Sequence, residues 1–93
     1  MDKLNSIELL KSLADDTRLS IVRHLALQPG EVAARDITSD CALALTLSQP
    51  TMSHHFAKLV ASGVLRERKD GVEKYYRLDT ALLTQHGIDA TKL

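Results

Sequence analysis

Ser48-Gln49-Pro50-Thr51-Met52-Ser53-His54-His55-Phe56-Ala57-Lys58-Leu59-Val60-Ala61-Ser62-Gly63 reads as one helix with a marked start, a marked stop and two unlike faces. Ser48 is placed to accept a hydrogen bond from an otherwise unpaired backbone N–H of the first turn. Pro50 is tolerated because it falls in that turn, and Gly63 supplies the left-handed residue that ends the helix. At about 100° per residue, Met52, Phe56, Leu59 and Val60 gather on one side. Pro50, Thr51, Ser53, His54, Ala57 and Lys58 fall towards the other, which is short, polar and free of acid. An ordinary amphipathic surface helix has the same outline, so the flanking stretches decide what this one is for.

After Gly63 the period changes from helical to alternating. Two runs, Val64 to Lys69 and Val72 to Leu78, flank Asp70-Gly71, a dipeptide suited to a two-residue hairpin turn. Centring the turn there pairs Lys69 with Val72, Arg68 with Glu73, Glu67 with Lys74, Arg66 with Tyr75 and Leu65 with Tyr76. Leu65, Tyr76 and Leu78 then share the core face, and Glu67 faces Lys74. Arg68 and Lys69 lie near the tip of a charged ribbon. Upstream, Leu4, Ile7, Leu9, Leu10, Leu13 and Ala14 recur at helical spacing. Asp15, Asp16 and Thr17 break that pattern and offer a cap. Leu19, Ile21, Val22, Leu25 and Leu27 define a second helix that ends before Pro29-Gly30.

Leu13-Ala14-Asp15-Asp16-Thr17-Arg18-Leu19-Ser20-Ile21-Val22-Arg23-His24-Leu25, then Ser48 to Leu59, then Gly63-Val64-Leu65, resembles the ArsR/SmtB family of small dimeric bacterial and archaeal repressors. The resemblance runs from about Leu4 to Asp79, with the motifs in order. It implies a winged helix-turn-helix fold, homodimeric operator binding, and release from DNA when a metal ion, metalloid or oxidant acts on the dimer. The fold expected is therefore mainly α with a small β-hairpin, as one domain over residues 1–93. Within it the positioning helix is expected at about 40–45, the recognition helix at about 49–62, the wing at about 64–78 and a short C-terminal helix at about 80–86.

Between the second helix and the recognition helix the chain departs from the family pattern. Glu31 to Leu47 is longer than the usual connection. Val32 to Thr38 reads as an extended loop or extra turn, with Ser39 capping a helix from Asp40 to about Leu45 that turns its Cys41, Ala42 and Leu45 inwards.

Lys plus Arg equals Asp plus Glu at twelve each, which argues against a non-specific polycation. The charge is unevenly spread: −2 from Met1 to Leu47, +3 from Ser48 to Leu78 and −1 from Asp79 to Leu93. The basic third is the one holding the helix and the ribbon. One cysteine, Cys41, excludes an intrachain disulfide framework and fits a reducing compartment. No signal peptide and no membrane-spanning apolar run is present in the sequence, so a cytoplasmic protein with no membrane partner is expected. No paired carboxylates, activated nucleophile or phosphate-cradling glycine loop can be assembled, so no enzyme is expected.

A helix that presents small donors and acceptors without bulk or negative charge suits entry into a DNA major groove. Thr51, Ser53 and His54 are candidates for groove contacts. Gln49 suits a base edge or a phosphate, and Lys58, Arg66, Arg68 and Lys69 suit phosphates. His55 lies between the two faces, as a packing residue. Adjacent histidines on a helix diverge by about 100° and do not chelate one ion together, so His54-His55 is not read as a metal site. No Cys-x-Cys pair occurs near Ile37 to Asp40. At the C-terminal end only His86 and Asp89 remain, two ligands per chain that would make the four zinc needs only across a dimer, against the plainer reading of a polar tail; neither a metal nor another cofactor is assigned and no effector is singled out. The surplus apolar surface of the first helix and the last, Leu4, Ile7, Leu9, Leu82 and Leu83, is the expected homodimer interface.

The reading is thus a homodimeric repressor of transcription that binds double-stranded DNA at an inverted repeat, with half-sites about one helical turn apart. The alternative is a winged-helix protein–protein interaction module with little intrinsic DNA affinity, which overall neutrality and an acidic first half support.

Overall fold

The computed structural model describes residues 3–41 and 46–93, and side chains from Ser6 onward. Helices α1 (Lys3–Leu13) and α2 (Asp16–Ala26) are followed by a short strand β1 (Val32–Ala33) and helix α3 (Ala34–Asp40). Helix α4 (Gln49–Ala61), strands β2 (Leu65–Asp70) and β3 (Glu73–Leu78), helix α5 (Thr80–Gln85) and a 3-10 turn (Ala90–Lys92) complete the order.

Local chemistry sets most of these limits. Asp15 caps α2 by accepting from the Arg18 N–H at 2.9 Å, and Ser48 caps α4 by accepting from the Thr51 N–H at 3.3 Å. Gly63 follows α4 with φ +86°, a conformation that costs an L side chain dearly, and an added Cβ would meet Leu82 Cδ2 at 2.8 Å. Asp79 caps α5 from the Leu82 N–H and holds Arg66 at the same time.

The core gathers Leu9 and Leu13 of α1, Ile21, Val22 and Leu25 of α2, Ile37 of α3 and Met52, Phe56 and Leu59 of α4, closed by Leu65, Tyr76, Leu78 and Leu83. The Phe56 ring stacks on Tyr76 at 4.3 Å between centroids and 12° between planes, fastening α4 to the sheet. Burial pushes the Tyr76 phenol up to about 12, so it stays protonated against Glu67.

Three expectations need correction. The hairpin turn is Gly71-Val72, not Asp70-Gly71: Asp70 pairs with Glu73, Lys69 with Lys74, Arg68 with Tyr75, Glu67 with Tyr76 and Leu65 with Leu78. Gly71 alone then needs positive φ, at +62°, and sits at the first central position as in a type II′ turn. A slip of two residues keeps every side chain on its face, so Leu65, Tyr76 and Leu78 remain on the core side, and Lys74 still reaches Glu67 diagonally at 3.1 Å.

The second correction concerns Val32 to Thr38, which is not an extended loop. Val32 and Ala33 pair with Tyr76 and Tyr75, giving a three-stranded antiparallel sheet of order β1-β3-β2, and Ala34 begins a helix anchored by the fully buried Ile37. Ser39 lies inside α3 and donates to Asp36 O. The helix expected at about 40–45 falls mostly on residues 42–45, outside the described residues.

Third, Leu9 and Leu83 are each only 1% exposed within the single chain. They belong to its own core and leave no surface for a partner. The apolar side chains that α1 turns outward are Ile7 and Leu10, 48% and 57% exposed. Leu82 is partly buried, and the side chain of Leu4 lies outside those described.

Candidate nucleic-acid interface

Helix α4 buries Met52, Phe56 and Leu59 and leaves Gln49, Pro50, Thr51, Ser53, His54, Ala57 and Lys58 exposed. The inward anchors therefore fix which residues face outward. Thr51 Oγ1 accepts from the Ser48 hydroxyl at 2.9 Å, so this candidate for groove contact is also part of the cap. Ser53 and His54 make no side-chain hydrogen bond among the described residues and are free to meet a ligand.

His55 behaves differently from His54. Its side chain is largely buried, with Nδ1 3.3 Å from Arg18 Nη1 and 3.7 Å from Asp15 Oδ2. Burial depresses its pKa first, the Arg18 and His54 charges lower it further and Asp15 opposes them. In the neutral ring Nδ1 is the acceptor for Arg18. The Arg18 Nε–H donates to Ser12 O at 2.7 Å, and Ser62 Oγ donates to Ser12 Oγ at 2.9 Å. Helix α4 is thus tied on this flank to the end of α1 and the start of α2 by polar contacts.

On the wing the candidate cations divide. Arg66 Nε donates to Asp79 Oδ2 at 2.9 Å. Arg68 grips Glu31 through Nε and Nη2, the shortest contact being 2.6 Å, and its guanidinium lies 4.5 Å over the Tyr75 ring. That contact holds the Glu31 carboxyl below its usual range, and the Leu82 N–H, followed by Arg66, does the same for Asp79. Lys69 is exposed, makes no ion pair among the described residues, and stands directly opposite Lys74. Arg77 is likewise exposed and sits opposite Arg66. Like charges on facing strand positions destabilise a ribbon. Glu67 beside Lys74 and Asp79 beside Arg66 offset that repulsion within the chain.

Sequence reading passed over Arg77, although its alternation with the buried Tyr76 and Leu78 marks it as solvent-facing. It also passed over Arg35 of α3, which reaches across to Glu73 of the wing. A cleft of about 720 Å³ opens between α3, the first turns of α4 and the wing, lined by Arg35, Ser39, Gln49, Ser53, Val72 and Lys74. Val72 stands fully exposed at the wing tip.

Nothing in the described residues gathers three or more His, Cys, Asp or Glu side chains around a metal-sized space. His86 Nδ1 shares a hydrogen bond of 2.8 Å with Ser6 Oγ while its Nε2 is buried without a hydrogen-bond partner among the described residues, and Asp89 caps the Thr91 N–H at 3.0 Å. Cys41 is buried, and burial raises its thiol pKa, the opposite of what a reactive thiolate needs. Among the described residues, no helix is long and apolar enough to cross a membrane.

A family model described as a helix-turn-helix domain matches residues 13–68, from the end of α1 into the wing. The chain is 45% identical over 78 residues to the arsenical resistance operon repressor of Escherichia coli (strain K12), a match covering 84% of this chain and 62% of that protein. The chain belongs to the ArsR/SmtB family. Solved structures superpose on it as well. HlyU from Vibrio cholerae N16961 aligns with a TM-score of 0.72 and 29% identity, over 94% of this chain and 91% of that one. The homodimeric winged helix-turn-helix DNA-binding domain Mb0332 from Mycobacterium bovis aligns with a TM-score of 0.70 and 25% identity, over 87% and 69%. Helix α4 and the β2–β3 hairpin occupy the stretches expected to form the recognition helix and the wing.

Proposed function

We propose that this chain is a sequence-specific DNA-binding repressor that acts as a homodimer on an inverted repeat. The observation that carries the reading is the outer face of α4, held outward by Met52, Phe56 and Leu59 and furnished with Ser53, His54 and Lys58 but no acid. Ser53 and His54 read base edges in the major groove, with Gln49 and Thr51 at the entering end. Lys58 and Lys69 take phosphates, joined by Arg77. Arg66 and Arg68 contribute to phosphate binding only as far as Asp79 and Glu31 release them.

Dimerisation is assigned to the outer face of α1, where Ile7 and Leu10 are exposed. A two-fold dimer places its recognition helices about 34 Å apart, one turn of DNA. The arsenical-resistance names of the relatives raise the question of thiolate sensing. The single thiol here is buried, and a soft metalloid calls for several thiolates, so the effector role is not given to Cys41.

Fluorescence anisotropy on the duplex immediately upstream of the coding sequence, beside a random duplex of equal length and at two salt concentrations, tests the proposal. Tight, salt-sensitive binding that prefers the upstream duplex is expected. The pairing of Arg66 and Arg68 with acids favours a second reading, a protein-interaction module. That reading expects binding to both duplexes to be weak and nearly independent of salt, because protein contacts release no counterions.

A further inference from the structure

A groove of about 410 Å³ runs between α1 and α4, lined by Glu8, Lys11, Ser12, Arg18, Lys58 and Ser62. Lys11 and Lys58 are exposed and make no ion pair among the described residues. Arg18 is already oriented, its Nε–H spent on Ser12 O and one Nη1 contact on His55. The remaining N–H donors of that fixed fork are available, and a guanidinium with its geometry set in advance loses little freedom when it binds an oxyanion. Glu8 on the rim offsets one of the three cations and leaves the groove positive.

The position of the groove says what it meets. At about 100° per residue, Gln49 and Ser53 lie on one edge of the exposed face of α4 and Lys58 and Ser62 on the opposite edge, with Pro50, His54 and Ala57 between. The first edge borders the cleft to α3 and the wing, and the second borders α1. A helix with its side chains is about 10–12 Å across and the major groove about 12 Å wide, so a helix in the groove has a phosphate backbone close to each edge. The wing serves one backbone.

We propose that the α1–α4 groove binds a backbone phosphate of duplex DNA on the side of the recognition helix away from the wing, with Lys11 and Lys58 as its mobile cations and Arg18 as its fixed one. This rests on the DNA-binding reading above and adds α1 to the interface. The contact is made to phosphate alone, so it strengthens binding to all sequences alike.

The test is Lys11→Ala, an exposed substitution that leaves the core untouched, measured by anisotropy on the upstream and random duplexes across a salt series. Lys92→Ala, which removes an exposed cation remote from the groove, is the control. Each phosphate contact contributes about 0.9 to the slope of log K against log salt, so Lys11→Ala should lower that slope by about 0.9 per protomer. Its loss of affinity should be equal on the two duplexes, and Lys11→Glu should weaken both further. If the parent protein binds DNA and Lys11→Ala leaves the slope unchanged, or changes it no more than Lys92→Ala does, the groove is not a phosphate site although the protein reads DNA. If the parent binds neither duplex with salt sensitivity, the DNA reading and the groove fall together.

Discussion

Replacing Phe56 with Ala tests how the recognition helix is held. The ring is buried and stacked on Tyr76 at 4.3 Å, so the substitution removes a core side chain and the one aromatic contact between α4 and the sheet. Truncating a buried Phe costs about 3–5 kcal/mol, against a total of about 5–15 kcal/mol for a domain. At about 4–8 °C per kcal/mol for a chain of this size, the melting midpoint should fall by roughly 12–40 °C. Phe56→Leu, which keeps most of the apolar volume but not the stack, should fall much less. Circular dichroism melts give the midpoints, and anisotropy at a temperature where each variant remains folded gives the affinity. Phe56→Leu should bind DNA nearly as the parent does. A midpoint for Phe56→Ala within about 5 °C of the parent would refute the claim that this stack fastens α4 to the wing, since such a shift corresponds to only about 1 kcal/mol.

Other outcomes follow from the same geometry. Ser53→Ala and His54→Ala should reduce the preference for the operator over random DNA, each by about 1–3 kcal/mol if the lost contact is to a base edge, whereas Lys69→Ala should weaken both duplexes equally in the same assay. Glu31→Gln should release Arg68 and steepen the salt dependence by up to about 0.9 per protomer; an unchanged slope would show that Arg68 faces no phosphate. Ile7→Glu combined with Leu10→Glu should convert a dimer to a folded monomer by light scattering and circular dichroism, and a persistent dimer would place the interface elsewhere. His55 has its folded pKa depressed by burial below the ordinary 6.5, so the native state takes up this proton less readily than the unfolded chain. Its contribution to stability is complete above about 6.5 and is lost as pH falls through the folded value. Urea midpoints should therefore decline between pH 7 and pH 5 in the parent and decline less in His55→Gln.

The stretch from Ser48 to Gly63 is readable from sequence because its start, its stop and its period are all local: a capping Ser, an early Pro, a Gly with positive φ and four apolar residues at helical spacing. The faces of the wing are readable for the same reason. Its register was missed because Asp70-Gly71 and Gly71-Val72 both offer a plausible turn, and the pairing of Leu65 with Leu78 selects the second only once the core has formed. Helix α3 was missed because Ala-Arg-Asp-Ile-Thr-Ser-Asp is rich in poor helix formers and buries a single side chain, Ile37, which leaves no period to detect. Periodicity marks Leu9 and Ile7 alike as apolar, but it does not say that Leu9 packs inward while Ile7 remains outside. The positive charge of the wing was visible. Its partial neutralisation was not, because Glu31 lies 37 residues before Arg68 and Asp79 lies 13 residues after Arg66.

Methylation protection at guanine N7 tests the central claim most directly, because N7 lies in the major groove and is shielded only by something lying there. With the protein saturating the duplex upstream of its gene, two protected patches about one helical turn apart are expected, and His54→Ala should re-expose guanines within them. Saturated binding with no N7 protected, or with protection unaltered by His54→Ala, would contradict the assignment of the outer face of α4 to the major groove.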